Sequence, residues 1–378
     1  MISKLLVAGA ATVAALVLGS VATAVAGPSI LVDGNTGVVL SDTDASQRWY
    51  PASLTKLMTT LVALRAIDEG EVTLQSPVRI SVNATKEKPS KMGYPAGTVI
   101  TLENALKMIM VKSANDVSTA IGESLAGSTE AFAARMNAEA KRIGMTRSNF
   151  VNAHGWHSEQ QYTTAHDMAV LAMTLKRSYP QYAYLFDIQA LADGNKVIPN
   201  HNDMIFRFAG ADGMKTGYTC DAGYNLVASA KRNGRVMIAV VLGAKSVGER
   251  TDAAADLLAQ GFDGPPRTGA KLLDLPVRGA MDPTNMREAV CSKESRKARI
   301  AELDEKGRII FKSAHVTGGE LPAPKATPIS VGGATGPASP FYPEFKRPDS
   351  INGIPIPIPR PERSAEMNAS APAAGITQ

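Results

Sequence analysis

The chain has 378 residues, 44% of them hydrophobic, so it can bury a large core in one sizeable domain with an appendage, and its formal charge of +5 is modest. No basic cluster interleaved with aromatics occurs, so no nucleic-acid surface is indicated; the five histidines are scattered, and His154-Gly155-Trp156-His157 lacks metal-ligand spacing.

The start, Met1-Ile2-Ser3-Lys4, leads into an apolar and small-residue run with no charge until Asp33, the pattern of an export signal. Ala22-Thr23-Ala24 and Ala24-Val25-Ala26 both fit the small-x-small cleavage rule, which sets a signal peptide at residues 1–26 and a location in the periplasm or cell envelope. The run is also long enough to span a bilayer, so an uncut membrane anchor is the competing reading.

Two β-rich runs, Ser29 to Asp33 and Gly37 to Leu40, flank Gly34-Asn35-Thr36 and predict a hairpin. Apolar residues from Leu57 to Ile67 then recur at helical spacing and end at Gly70, so Ser53 to Glu69 reads as a buried helix. Residues i and i+3 share a helix face, which brings Ser53 and Lys56 together near the amide-rich N-terminus.

A polar stretch rich in turn residues precedes a helix over Leu102 to Met110, with Thr101 as its cap. Ser113-Ala114-Asn115-Asp116 interrupts the apolar pattern before it resumes at Val117, and the ordinary explanation is an N-cap for a second helix. Further helices are predicted at Thr129 to Ile143 and Thr164 to Ser178, with a turn at 152–156 between them.

The period then changes. Asp212 to Tyr218, Tyr224 to Ala230 and Arg235 to Gly243 read as strands, and Asn233-Gly234 is a strong hairpin signal. A closing helix over Arg250 to Ala259 precedes Gly264-Pro265-Pro266, and 16 of the 23 prolines lie from residue 265 to the end. Composition therefore sets a globular domain at 27–262 and a largely disordered tail at 263–378, with a short hairpin near 301–314. Cys220 and Cys291 stand on either side of that boundary, and both a disulfide and two free thiols fit the sequence.

Three elements stand out in order: Ser53-Leu54-Thr55-Lys56, Ser113-Ala114-Asn115 and Lys215-Thr216-Gly217. A serine becomes a nucleophile when a nearby base takes its proton, and a lysine can be that base when burial or another cation depresses its pKa. The arrangement resembles the penicillin-recognising serine enzymes, and most closely the low-molecular-mass penicillin-binding proteins that are serine-type D-alanyl-D-alanine carboxypeptidases. Pro51 to Lys56, Ser113 to Asp116, Asn152 to Gly155, Asp212 to Thr219 and Ala222 to Ala230 carry the likeness, over about residues 28 to 262.

The resemblance implies an α+β fold of the β-lactamase/transpeptidase type: an antiparallel five-stranded sheet flanked by helices, a helical insert from about 70 to 205, and the site in the cleft between them. It implies Ser53 as nucleophile, Lys56 as base and Ser113 as proton relay. Asn115 would orient Lys56 and substrate, Lys215, Thr216 and Arg250 would hold the terminal carboxylate, Gly217 would leave room for the substrate backbone, and the amides of Ser53 and Tyr218 would stabilise the oxyanion. No cofactor or metal is needed, and His154 is left out of the chemistry.

The implied substrate is a peptidoglycan stem peptide ending in D-Ala-D-Ala, with β-lactams as inhibitors, in cell-wall biogenesis and shape control. The rivals are a D,D-endopeptidase on cross-links, a serine β-lactamase, for which no Glu-x-x-x-Asn loop occurs before Lys215, and a non-catalytic wall scaffold. The tail lacks the amphipathic anchor common in the family, which leaves the N-terminal segment as the means of any membrane association.

Overall fold

The computed structural model describes residues 27–276, 282–342, 350–351 and 354–355. The predicted export signal at 1–26 and most of the Pro-rich end lie outside the described residues. In chain order the elements are β1 (Ser29–Asp33), β2 (Val39–Thr43), α1 (Thr55–Asp68), β3 (Pro77–Arg79), β4 (Val99–Thr101), α2 (Leu102–Val111), α3 (Asn115–Ala126), α4 (Thr129–Ile143) and α5 (Ala165–Ser178). There follow β5 (Ala190–Asp193), β6 (Lys196–Pro199), α6 (Met204–Arg207), β7 (Ala211–Thr219), β8 (Gly223–Arg232), β9 (Arg235–Ala244) and α7 (Val247–Phe262). After these come α8 (Arg287–Cys291), α9 (Lys293–Ile300) and β10 (Ala326–Ile329); β11 (Ser350–Ile351) pairs with β12 (Ile354–Pro355) in a separate unit beginning at Pro343.

The fold is α+β around a five-stranded sheet of order β2-β1-β9-β8-β7, antiparallel at every step. The Asn233-Gly234 turn joins β8 to β9 with both residues at positive φ, 48° and 78°, the conformation that favours these residue types in a two-residue hairpin. Side chains alternate faces along a strand. On β9, Ile238, Val240 and Leu242 pack with the helical layer of α1, α2, α3 and α5, while Met237, Ala239 and Val241 pack with α7. Both faces are covered, which is why β9 reads as an unbroken apolar run.

α1 is buried on nearly every side, so it lies between the sheet and the other helices and carries the site's first motif through the core. The predicted caps are in place: Thr101 Oγ1 accepts from the Asn104 amide at 3.2 Å, and Gly144 closes α4 at φ +91°.

Five features differ from the sequence reading. The insert between 70 and 205 is not wholly helical, since β3 pairs with β4 and β5 with β6; these strands are too short to show a period. Ser113 caps nothing: the N-cap of α3 is Ala114. The second strand of the first hairpin runs on to Thr43, and the closing helix is longer than predicted at both ends.

Finally, residues 282–342 are packed on the body, where composition had suggested disorder. Cys291 is disulfide-bonded to Cys220, Arg287 pairs with Asp221 at 2.7 Å, β10 lies parallel to β5, and Tyr342 Oη accepts from Arg79 Nε at 3.0 Å. Proline content signals an extended backbone, and an extended backbone is ordered when neighbours supply its partners. The 301–314 stretch holds an isolated bridge, Leu303 to Ile309, around Lys306-Gly307.

Candidate active site

Ser53 sits on a single 3-10 turn, Ala52–Leu54, and the α-helix proper begins at Thr55. Ala52 adopts φ +47°, a left-handed conformation that an alanine holds only when its surroundings impose it. Three elements do so. Asn225 on β8 donates from Nδ2 to the Tyr50 and Pro51 carbonyls at 2.9 and 3.2 Å and accepts from the Gly243 amide at 2.9 Å. Gly217 on β7 packs so closely that an added Cβ would lie 2.8 Å from the Pro51 oxygen and 3.2 Å from the Ser53 nitrogen. A side chain at Gly155, φ +87°, would run into the Ala52 carbonyl.

Gly217 therefore has a second reason to be glycine. The sequence reading gave it to the substrate; the structure shows that β7 also approaches the turn carrying Ser53.

Lys56 is fully buried, and its Nζ lies 3.0 Å from Ser53 Oγ, 2.7 Å from Asn115 Oδ1 and 2.6 Å from the His154 carbonyl. Burial, and then the Lys215 charge, hold its pKa well below the usual lysine range against the weaker pull of Glu87 and Asp116. A neutral amine has two hydrogens. Asn115 and His154 take both, so the lone pair is left for the Ser53 hydroxyl. The crowding of two amines is thus present, but desolvation is the larger cause.

Ser113 holds φ +60°, and its buried Oγ has no hydrogen-bond partner among the described residues, so the hydroxyl is placed to donate and accept inside the cleft. Asn115 Nδ2 donates to the Lys88 carbonyl at 2.8 Å, which fixes the amide with its oxygen on Lys56. Lys215 is buried and donates to the Thr216 carbonyl at 2.9 Å; burial, then Arg250, push its pKa down to about 7. Arg250, from the first turn of α7, is 5% exposed, and its Nε has no hydrogen-bond partner among the described residues.

Ser53, Ser113, Asn115, Thr216, Gly217, Tyr218 and Arg250 line one cavity of about 500 Å³, with Lys56 and Lys215 buried in its wall. β7 is the edge of the five-stranded sheet, so part of its backbone remains unpaired along this cavity. All nine residues named from the sequence are brought to this one cleft. Among the described residues no group of three His, Cys, Asp or Glu side chains could hold a metal ion.

Sequence reasoning missed several supporting residues. Asn225 and Gly155 position the nucleophile turn. Asp116 accepts from the Met92 and Gly93 amides at 3.1 and 2.8 Å, pinning the 88–93 loop beside Asn115. His201 also lines the cavity, and burial and the surrounding cations push its pKa down to about 4. Asn225, Gly155 and Asp116 fall inside the stretches that carry the family likeness, where no role was given to them, whereas His201 left no signal.

A family description of D-alanyl-D-alanine carboxypeptidases matches residues 16–246. The chain is 35% identical over 238 residues to D-alanyl-D-alanine carboxypeptidase DacF of Bacillus subtilis, covering 62% of this chain and 61% of that one. It is 35% identical over 241 residues to DacC of Escherichia coli, covering 62% and 60%. The match thus spans about three fifths of these relatives' length. Among solved structures, DacD of Francisella tularensis superposes with a TM-score of 0.60 at 32% identity, over 62% of this chain and 70% of that one. Penicillin-binding protein D2 of Listeria monocytogenes in its ampicillin-bound form does so with a TM-score of 0.55 at 26% identity, over 62% and 96%.

Proposed function

The chain belongs to the D-alanyl-D-alanine carboxypeptidase family, and from that premise we propose that it removes the terminal D-alanine of peptidoglycan stem peptides through an acyl-enzyme on Ser53. The observation that carries this reading is the Lys56 amine, its hydrogens engaged by Asn115 and the His154 carbonyl and its nitrogen 3.0 Å from Ser53 Oγ.

Lys56 accepts the Ser53 proton as Oγ attacks the penultimate D-alanine carbonyl. The amides of Ser53 and Tyr218 stabilise the oxyanion; such a donor is worth about 3 to 4 kcal/mol. Ser113 relays the proton to the departing D-alanine amine. Lys215, Thr216 and Arg250 hold the terminal carboxylate, and the cations gathered at the cleft favour an anion there. Water then releases the shortened stem peptide. The nine residues are assigned on the family motifs and on their gathering around one cavity.

β-Lactams acylate Ser53 in place of substrate; the Listeria protein's ampicillin- and cefotaxime-bound forms support this. The enzyme acts in the cell envelope, on the strength of its substrate, the N-terminal export pattern and the disulfide. No helix among the described residues is long and apolar enough to cross a membrane.

Mass spectrometry after incubation with benzylpenicillin tests the nucleophile: a single adduct on the Ser53 peptide is expected, lost in Ser53→Ala. Release of D-alanine from diacetyl-lysyl-D-alanyl-D-alanine tests the reaction. Cleavage of cross-linked muropeptide dimers with no action on monomers would replace the carboxypeptidase by an endopeptidase, and rapid turnover of nitrocefin would replace it by a β-lactamase.

A further inference from the structure

Beneath Lys56 lies a carboxylate for which the chemistry above has no use. Glu87 follows the 3-10 turn Ala84–Lys86 and points inward, its side chain 18% exposed. Oε1 accepts from Thr119 Oγ1 on α3 at 2.8 Å, and Oε2 lies 3.3 Å from His154 Nε2. Among the described residues it makes no lysine or arginine ion pair.

The His154 ring is held at both nitrogens. Nδ1 accepts from the Trp156 amide at 3.0 Å, so the remaining ring hydrogen is on Nε2 and is donated to Glu87. That same residue's backbone carbonyl is one of the two acceptors on Lys56. The segment carrying Glu87 supplies the other constraint as well, because the next carbonyl, Lys88 O, fixes the Asn115 amide.

We propose that Glu87 is a positioning residue for the Lys56 base: it clamps the His154 ring, and through it the carbonyl that aims the amine at Ser53, and its negative charge sets how readily that amine holds a proton. The inference rests on the reading of Lys56 as the base.

The charged and titratable groups facing Lys56 are Lys215 from β7, Glu87 from the 84–90 segment, Asp116 from α3, the His154 imidazole from the 152–156 turn and His201 from the segment before α6. Glu87 is the first of the groups opposing burial and Lys215 in setting the Lys56 pKa. Burial outweighs Glu87's attraction and lowers the His154 pKa, and the bonds at both ring nitrogens make the ring a fixed donor to Glu87. For Glu87 itself burial favours protonation, but the His154 and Thr119 bonds and the Lys56 charge win, and its pKa lies below the ordinary carboxylate value.

Two variants separate clamp from charge. Glu87→Gln keeps an acceptor for His154 and loses the charge; Glu87→Asp keeps the charge and, one methylene shorter, loses the ring contact. The readout is the second-order rate of Ser53 acylation by a fluorescent penicillin, measured on the full chain as a function of pH, with folding checked by thermal melting.

In Glu87→Gln the acid limb moves to lower pH, because Lys56 sheds its proton more readily once an opposite charge is gone. In Glu87→Asp the limb stays near its wild-type position and the plateau falls about tenfold or more, as misplacement of a catalytic group does. An unmoved limb in the glutamine variant, or an unchanged plateau in the aspartate variant, would overturn the proposal. Loss of the melting transition in both would assign Glu87 to stability alone and overturn it too. Wild-type protein that penicillin does not acylate removes the reading of the site itself, and this inference with it.

Discussion

At Lys56 a lysine is stripped of water and given two acceptors for a neutral amine's two hydrogens, so geometry and desolvation act in the same direction. An arginine cannot take this part, since its guanidinium stays protonated. Lys56→Arg should lower Ser53 acylation by about 10³-fold while the chain still folds, as intact-mass measurement of the penicillin adduct would show. Lys215 offers a test in stability. A lysine whose folded pKa is depressed, here to about 7, destabilises the fold wherever both states bind its proton, and this cost fades as pH rises toward the unfolded value of 10.5. Lys215→Met should therefore melt higher than wild type at pH 6, and its advantage should shrink by pH 9.5. A constant difference across that range would mean that burial of the charge is not what separates them.

Among the elements, the nucleophile turn is set by its neighbours. Ala52 and Ser113 both hold left-handed conformations beside the cleft, and neither residue type favours them. The strain at Ala52 is imposed by Asn225, Gly155 and Gly217, which come from β8, the 152–156 turn and β7. Asn225→Ala leaves the Gly243 amide and the Tyr50 carbonyl without this partner, which costs about 1 to 3 kcal/mol per buried group, so the melting temperature should drop and acylation should slow together. Gly155→Ala should lower acylation by about tenfold or more, because the added methyl displaces the Ala52 carbonyl and the serine that follows it.

For the whole molecule, the described residues after Gly264, 265–276 and 282–342, belong to the folded body. Leu272, Met286, Val290 and Ile329 are buried in the large helical-side cluster and Val316 in the cluster under α7. The Cys220–Cys291 bridge spans 71 residues and fastens this segment at the end of β7, with Tyr218 Oη 3.3 Å from Cys291 Sγ. Closing a loop of that length stabilises a fold by about 4 kcal/mol in the chain-entropy picture. Cys291→Ser, or reduction, should thus lower the melting temperature markedly, and a chain cut after Asp263 should lose more than one cut after Tyr342. A cut after Asp263 that melts at the full-length temperature would return the domain boundary to where composition set it.

What was legible from the residues alone was whatever depends on neighbours in sequence. The Asn233-Gly234 hairpin, the Thr101 cap and the Ser53/Lys56 pairing are short-range consequences of backbone geometry, and the three motifs hold seven of the nine residues named for the site, Tyr218 and Arg250 being added by the family resemblance. The strand pairs β3 with β4 and β5 with β6 were not legible, being too short for a period, nor was the ordering of the Pro-rich segment, whose partners lie as many as 263 residues away. Glu87 under His154, Asn225 on the Tyr50 and Pro51 carbonyls, and the choice of Cys220 and Cys291 to pair are likewise contacts between distant segments. Which groups a carboxylate, an amide or a thiol meets in the core is decided when sheet and helices close on each other, since only that packing removes the competing water and the competing partners.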